Sequence, residues 1–176
     1  MLVWEPVIPQ FLAWHQLTPM IAVIFRGNAE KGYKIWKDFQ SLPIISVAPI
    51  RRPKLDESGK DYSFAQEREL MMEKMRTVLR IAATSQHFDL CMGAFGVGPG
   101  FRNPVGQVAS MWRHILFSEA EFQGAFSNIV FAIESPGGVS PKSGLTDFEV
   151  FSREFSPGNI VKTSWRTSSS SSPSGD

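Results

Sequence analysis

Apolar residues along this chain come in short runs separated by polar, glycine- and proline-rich stretches, and the runs have two different periods. Ile21-Ala-Val-Ile-Phe25 and Ile44-Ile-Ser-Val-Ala-Pro-Ile50 are compact apolar blocks, which predict buried strands. Pro49 inside the second block predicts that pairing ends near its C-terminal side. Asn28 to Gln40 is a polar connection dotted with aromatics, and residues 1–20, with three prolines and no period, predict an irregular lead-in.

After a charged loop from Arg51 to Lys60 the period becomes helical. Ser63 with Gln66 three residues on fits a capping box, and Glu67 and Glu69 suit the positive end of a helix. Leu70, Met71, Met75, Val78, Leu79, Ala82 and Ala83 recur at helical spacing and predict one buried stripe. Asp89 to Phe95 reads as a third strand and Pro104 to Leu116 as a helix, with Asn103 as N-cap and Pro104 at the first helical position. Ser118-Glu-Ala-Glu121 repeats the capping signature for a short turn closed by Gly124. Asn128 to Glu134 is a fourth strand, and Thr146-Asp-Phe-Glu149 caps a last helix ended before Pro157-Gly158. From Thr167 onward Ser, Pro and Gly dominate, and the tail is expected to be disordered. Apolar strands alternating with helices predict an α/β layered domain.

Composition narrows the function classes. The 176 residues are 43% apolar and 20% charged, as in one soluble globular domain with a polar tail. A net charge of +1 supplies no field to recruit nucleic acid or an anionic membrane, so neither partner is expected. The single cysteine, Cys91, allows no intramolecular disulfide or cysteine-based zinc cluster, which points to an intracellular, reducing compartment. The apolar N-terminus is broken by Glu5, Pro6 and Pro9 and lacks a basic leader, so it does not read as a signal peptide. His15, His87 and His114 are scattered without metal-like spacing, and Cys91 inside an apolar strand reads as an inert buried thiol. No metal or cofactor is expected. Glu67, Glu69 and Glu73 read as helix capping and a solvated face, and Arg51-Arg52-Pro-Lys54 as a solvated loop within reach of an anionic ligand.

One stretch carries chemistry: Asp89-Leu-Cys-Met-Gly-Ala-Phe-Gly-Val-Gly-Pro-Gly-Phe-Arg-Asn-Pro104. A strand enters four closely spaced glycines and leaves through an Asn-Pro helix start. Glycines remove Cβ atoms so that oxygens can approach backbone N–H groups, and a helix N-terminus favours negative charge. The loop therefore reads either as a phosphate cradle or as a plain strand-to-helix turn. Gly96-Val-Gly98-Pro-Gly100 partly imitates a nicotinamide-binding fingerprint, but the spacing departs from G-x-G-x-x-G and the acidic residue expected about 20 positions later is misplaced. No Gly-Lys-Ser/Thr follows, which excludes a Walker loop, and no G-x-S-x-G elbow is present.

Ile44-Ile-Ser-Val-Ala-Pro-Ile-Arg-Arg-Pro53, Met72-Glu-Lys-Met-Arg-Thr-Val-Leu-Arg-Ile-Ala-Ala83, Met92-Gly-Ala-Phe-Gly-Val-Gly98 with Phe101-Arg-Asn-Pro104, and Phe126-Ser-Asn-Ile-Val-Phe-Ala-Ile133 occur in that order. Over about residues 20–155 they resemble the C-terminal half of the microbial-type poly(ADP-ribose) glycohydrolases, a branch of the macrodomain superfamily, and within it the fungal members with an Arg-Asn-Pro loop. The resemblance implies a partial macrodomain-like three-layer fold, a mixed β-sheet flanked by helices, with the N-terminal half missing. It divides the chain into a lead-in (residues 1–19), the macrodomain-like part (20–158) and a Ser-rich tail (159–176). It further implies that Gly93, Ala94, Phe95, Gly96, Val97, Gly98, Phe101 and Asn103 wrap the diphosphate and distal ribose of ADP-ribose, or of an ADP-ribosylated protein. Phe131 falls on a strand similar to one near the adenine site.

The departures bear on activity. The family's hydrolytic signature, a glycine triplet followed by Gln-Glu-Glu, belongs to the half upstream of anything that matches, and this sequence holds neither tripeptide. The tandem glutamates supply acid and base for cleaving a ribosyl bond. Val97 stands where many members have cysteine, and Pro99-Gly100 lengthens the loop by about a residue. The expectation is a non-hydrolytic ADP-ribose-binding remnant with no catalytic residues, short of several strands and one cleft wall, and with unpaired strand edges. The competing expectations are a Rossmann-type NAD-binding protein and a structural or interaction domain that binds no nucleotide.

Overall fold

The helical period from Ser63 and the apolar run from Asp89 meet in one core. In the computed structural model, residues 15–22, 25–26, 34–35, 40–133 and 144–161 are described. The expected irregular lead-in over residues 1–14, most of the Asn28 to Gln40 connection, Glu134 and the tail from residue 162 lie outside them. The chain divides into two compact units, residues 1–48 and 49–176.

In the first unit β1 (His15–Ala22) pairs antiparallel with β4 (Gln40–Val47), and β2 (Phe25–Arg26) pairs with β3 (Lys34–Ile35). Two expectations change here. Residues 15–20 are strand rather than irregular: the register sets Pro19 opposite Pro43, which confines both missing N–H donors to one rung of the ladder. The second apolar block runs as β4, ends before Pro49 as expected, and is not a strand covered on both faces, since Ile44 is 41% exposed.

The second unit carries α1 (Ala65–Thr84), β5 (Asp89–Met92), α2 (Val105–Ser118), β6 (Asn128–Phe131) and α3 (Asp147–Glu154). β5 and β6 are parallel, with Asp89 opposite Asn128 and Met92 opposite Phe131, so β5–α2–β6 is a strand–helix–strand crossover. The α/β arrangement of small paired strands flanked by helices is the one expected. Met71, Met75, Leu79 and Ala82 of α1 are fully buried, as are Val108, Ala109, Met111 and Ile115 of α2; Trp112 is buried among them. Leu90, Met92, Ile129 and Phe131 close the core from the strands, and Phe151 closes it from α3. Each large apolar side chain buried in this way contributes about 1.5–3 kcal/mol. Leu70, expected in the buried stripe, is 53% exposed, and Met72 is buried in its place.

The strands show one inner and one outer face. Leu90 and Met92 turn inward while Asp89 and Cys91 turn out, so Cys91 is an exposed thiol, not the buried one expected. On the same outer face Asn128 Nδ2 donates to Asp89 Oδ1 at 2.6 Å. Phe131 packs inward against Phe155 (4.9 Å between ring centroids) and Phe151 (5.3 Å), which places its ring in the core.

Helix ends follow local chemistry only where no distant partner competes. Thr146 and Glu149 form the expected capping box: Glu149 N–H donates to Thr146 Oγ1, and Thr146 N–H to Glu149 Oε2 at 2.7 Å. Donation from the Thr146 N–H and from the Thr146 hydroxyl holds the Glu149 carboxyl below the usual range. Ser63 does not cap α1. Its N–H donates to Lys54 O beside the Leu55–Tyr62 bridge, and the helix begins after Phe64 with no side-chain cap. Ser118 likewise lies inside α2, and the expected helical turn is a hydrogen-bonded turn from Glu119 closed by Gly124 at φ +69°. α3 ends before Pro157 as expected, and residues 157–161 are again helical.

α1 ends in a Schellman motif, with His87 N–H donating to Ala82 O and Gln86 N–H to Ala83 O. Gln86 occupies the left-handed position at φ 60°, where glycine is unstrained. Gln86→Gly is expected to stabilise the fold by up to about 1 kcal/mol, read as a raised midpoint in urea denaturation.

Candidate functional site

The glycine loop leaves β5 at Gly93 and enters α2 at Val105, and its shape is set from within by one buried side chain. Ala94-Phe95-Gly96-Val97 is a tight turn closed by Val97 N–H to Ala94 O at 3.0 Å, with Gly96 in the left-handed region at φ +72°. Gly98 at φ +101° reverses the chain again, and Arg102 N–H returns to Gly98 O at 2.8 Å. Asn103 N–H then donates to Gly96 O at 3.2 Å. Turns that combine right- and left-handed residues are the backbone type from which anion-binding nests are built.

Asn103 is only 4% exposed. Its Nδ2 donates to Ile50 O at 2.7 Å and to Gly96 O at 2.9 Å, while its Oδ1 accepts from Tyr62 Oη at 2.9 Å. The N-cap role expected for Asn103 is therefore not taken up. Pro104 holds the cap position with no side-chain bond, and the Asn103 amide ties the loop to Ile50 and Tyr62. Gly96 is required at its position, because a Cβ there would lie 2.8 Å from Asn103 Nδ2 and 2.8 Å from Pro49 Cβ. Tyr62 is buried, and that burial raises its phenol above the ordinary value of 10.0.

The remaining predicted residues sit around this knot. Phe95 packs edge-on against Trp112 of the core, 6.1 Å between ring centroids, which anchors the turn from below. Gly93 and Phe101 are exposed, and Ala94, Gly96, Val97 and Gly98 are half-buried. The N–H groups of Ala94, Phe95, Gly96 and Gly98 meet no acceptor among the described residues. Backbone donors left open in a shaped loop need water or a ligand oxygen.

Each glutamate of α1 has a hydrogen-bonding partner. Glu67 Oε2 accepts from Lys54 N–H at 3.0 Å. Glu69, Glu73 and Glu119 converge on Arg76, and Glu73 and Glu121 on Arg80, with Arg76 Nη2 2.9 Å from Glu119 Oε1. This network joins α1 to the turn after α2, and its carboxylate hydrogen bonds raise both guanidinium pKa values. His114 Nε2 lies 3.9 Å from Glu119 Oε1. Among the described residues no group of three or more His, Cys, Asp or Glu could hold a metal ion, and no helix is long and apolar enough to cross a membrane.

Arg52, read from sequence as part of a solvated loop within reach of an anionic ligand, is exposed. Arg52 N–H donates to Phe101 O, so the Arg51–Pro53 segment lies against the glycine loop at Phe101. Both Arg52 (φ 53°) and Arg102 (φ 61°) adopt left-handed backbone, and nothing local in the sequence signals either.

No family model matches the chain, and no curated protein matches it. Among solved structures it is similar to poly(ADP-ribose) glycohydrolase from Deinococcus radiodurans in complex with ADP-ribose. That alignment has 29% identity and a TM-score of 0.54, over 75% of this chain and 48% of that one. A mutant of poly(ADP-ribose) glycohydrolase from Thermomonospora curvata aligns at 26% identity and a TM-score of 0.56, over 74% of this chain and 45% of that one. The Thermomonospora curvata protein bound to the inhibitor ADP-HPD shares the fold at 22% identity and a TM-score of 0.54. The chain spans about half the length of the structures it matches, at 48% and 45%.

The Asn103 knot yields two expectations. Asn103→Ala strands two carbonyls and the Tyr62 hydroxyl in a buried site, and is expected to destabilise the fold by about 2–5 kcal/mol in denaturant titration. Tyr62 holds its proton more tightly folded than unfolded. Its contribution is therefore complete below pH 10.0, the ordinary value, and is lost as pH rises beyond it. The thermal denaturation midpoint of the wild type is expected to fall above that pH more steeply than that of Tyr62→Phe.

Proposed function

We propose that this chain binds ADP-ribose through the glycine loop and does not cleave it. The observation that carries the reading is the set of backbone N–H groups at Ala94, Phe95, Gly96 and Gly98 that meet no acceptor among the described residues, in a loop tied by Asn103. A diphosphate supplies several oxygens at the spacing of successive peptide N–H groups, so one ligand group can satisfy several donors together. Similarity to an enzyme crystallised with ADP-ribose supports this choice among phosphate ligands.

In this reading Gly93, Ala94, Phe95, Gly96, Val97 and Gly98 form the backbone cradle. Phe101, 37% exposed, offers a ring to the distal ribose. Asn103 contributes by positioning, since both of its amide hydrogens are used inside the loop. The segment corresponds to the loop-bearing, C-terminal half of the glycohydrolase fold. An acid and a base on either side of the ribosyl bond are required for hydrolysis. This chain has no Gln-Glu-Glu, and the glutamates of α1 are committed to Lys54, Arg76 and Arg80.

A Rossmann-type NAD site is less well supported, because Gly96 and Gly98 serve a turn locked to Asn103 rather than a G-x-G-x-x-G run into the helix. Calorimetric titration of the folded chain with ADP-ribose is expected to give saturable 1:1 binding in the micromolar range, about −8 kcal/mol. Incubation with ADP-ribosylated protein is expected to release no ADP-ribose. A folded chain that gives no binding heat, or one that liberates ADP-ribose, contradicts the reading.

A further inference from the structure

The charged stretch after Pro53 is a short hairpin whose tip is built around one carboxylate. Ser63 N–H donates to Lys54 O at 2.8 Å and Asp56 N–H to Asp61 O at 3.0 Å, with Leu55 bridged to Tyr62 between them. Gly59 N–H closes the tip turn on Asp56 O at 3.0 Å, with Gly59 at φ +68°. The Asp56 side chain fills that turn. Its Oδ1 accepts from the Lys60 and Asp61 N–H groups, each at 3.1 Å, and the Ser58 hydroxyl lies 2.9 Å from Oδ1 and 2.8 Å from Oδ2. These donors, the Ser58 hydroxyl foremost, hold the Asp56 carboxyl below its ordinary value of 3.8. At the base, Lys54 N–H donates to Glu67 Oε2 at 3.0 Å, which fastens the first arm to the first turn of α1.

The tip, from Asp56 to Asp61, is exposed, whereas Tyr62 beside it is buried and donates its hydroxyl to Asn103 Oδ1 at 2.9 Å. A hairpin takes its register from its turn, and a slip of one residue sends each side chain to the opposite face. The turn at Asp56 therefore decides whether Tyr62 points at Asn103. Asn103 Oδ1 meets no other donor among the described residues, while its Nδ2 serves the carbonyls of Ile50 and Gly96. The Tyr62 hydroxyl thus fixes which end of the amide faces Gly96. We propose that Asp56 is a positioning residue for the glycine loop: from the exposed turn it sets the register that aims Tyr62 at Asn103, and through Asn103 it holds the loop at Gly96. Its consequence for ligand binding rests on the ADP-ribose reading of the loop; its consequence for the shape of the free loop does not.

The test measures amide hydrogen exchange by NMR on the ligand-free full chain, and then ADP-ribose affinity by calorimetry. The variants are Asp56→Ala, Asp56→Asn, Tyr62→Phe and the double variant Asp56→Ala with Tyr62→Phe. Thr146→Ala, which removes the cap of α3, serves as a control that lowers stability away from the hairpin. Asp56→Ala is expected to speed exchange at the Val97 and Asn103 N–H groups about 10-fold relative to Ile115 in α2. ADP-ribose affinity falls with it, by about 10-fold, because apparent affinity scales with the competent fraction of the loop. Asp56→Asn keeps an acceptor oxygen for the Lys60 and Asp61 N–H groups and retains wild-type exchange and affinity. Tyr62→Phe matches Asp56→Ala, and the double variant is no worse than either, as for two residues acting in one line. Thr146→Ala lowers the denaturation midpoint and changes neither readout. Unchanged exchange at Val97 and Asn103 in Asp56→Ala overturns the proposal, as does an Asp56→Ala effect that persists in full on the Tyr62→Phe background. An equal effect of Thr146→Ala also overturns it, in favour of general loss of stability. If Asp56→Ala loses its circular dichroism, Gly59→Ala, which strains the same turn, carries the comparison. A wild type that binds no ADP-ribose while the exchange pattern holds refutes the ligand reading and leaves the role of Asp56 standing.

Discussion

The second unit depends on the side-chain amide of Asn103. Four hydrogen-bonding groups meet there: the part-buried carbonyls of Ile50 and Gly96, the buried hydroxyl of Tyr62, and the amide itself. Unpaired, each would cost about 1–3 kcal/mol in an apolar setting. Joined, they fasten three separate pieces of chain, the segment before α1, the α1 approach and the glycine loop. The knot sits directly over the core, since Gly96 would touch Met71 if it carried a Cβ and Phe95 rests on Trp112. A loop rich in glycine is entropically expensive to order, and here the ordering is supplied by a neighbour rather than by the loop itself.

That arrangement explains how a flexible composition gives a defined surface. The turn at Ala94–Val97 and the reversal at Gly98 leave the N–H groups of Ala94, Phe95, Gly96 and Gly98 without an acceptor among the described residues, and Asn103 ties the loop at Gly96. Preorganised donors bind an anion without further reorganisation. Glu69, Glu73, Glu119 and Glu121 are held by Arg76 and Arg80, whose ion pairs join α1 to the turn after α2.

What could be read from sequence was what is decided locally. The capping box at Thr146–Glu149 involves residues three apart, and the α1 stripe at Met71, Met75, Leu79 and Ala82 follows from helical period alone. The glycine loop announced itself through backbone freedom. Misreadings share another cause. Asn103 and Ser63 are good caps in isolation, but Asn103 is claimed by Ile50, 53 positions away, and by Tyr62, 41 positions away, while Ser63 is claimed by the Lys54 bridge. Cys91 sits in an apolar run that suggests burial on both faces, whereas β5 alternates and turns the thiol outward. The nearness of Arg52 to the loop rests on one backbone hydrogen bond to Phe101, which no pattern along the chain encodes.

We propose that Asn103 holds the loop amides ready for a diphosphate. Amide chemical shifts followed by NMR during ADP-ribose titration test it most directly, on the wild type and on Asn103→Ala under conditions where both are folded. The account predicts saturable shifts centred on Ala94, Phe95, Gly96 and Gly98 in the wild type, and their loss or strong weakening in the variant. Shifts centred elsewhere in the wild type, or an undiminished loop response in Asn103→Ala, would contradict it.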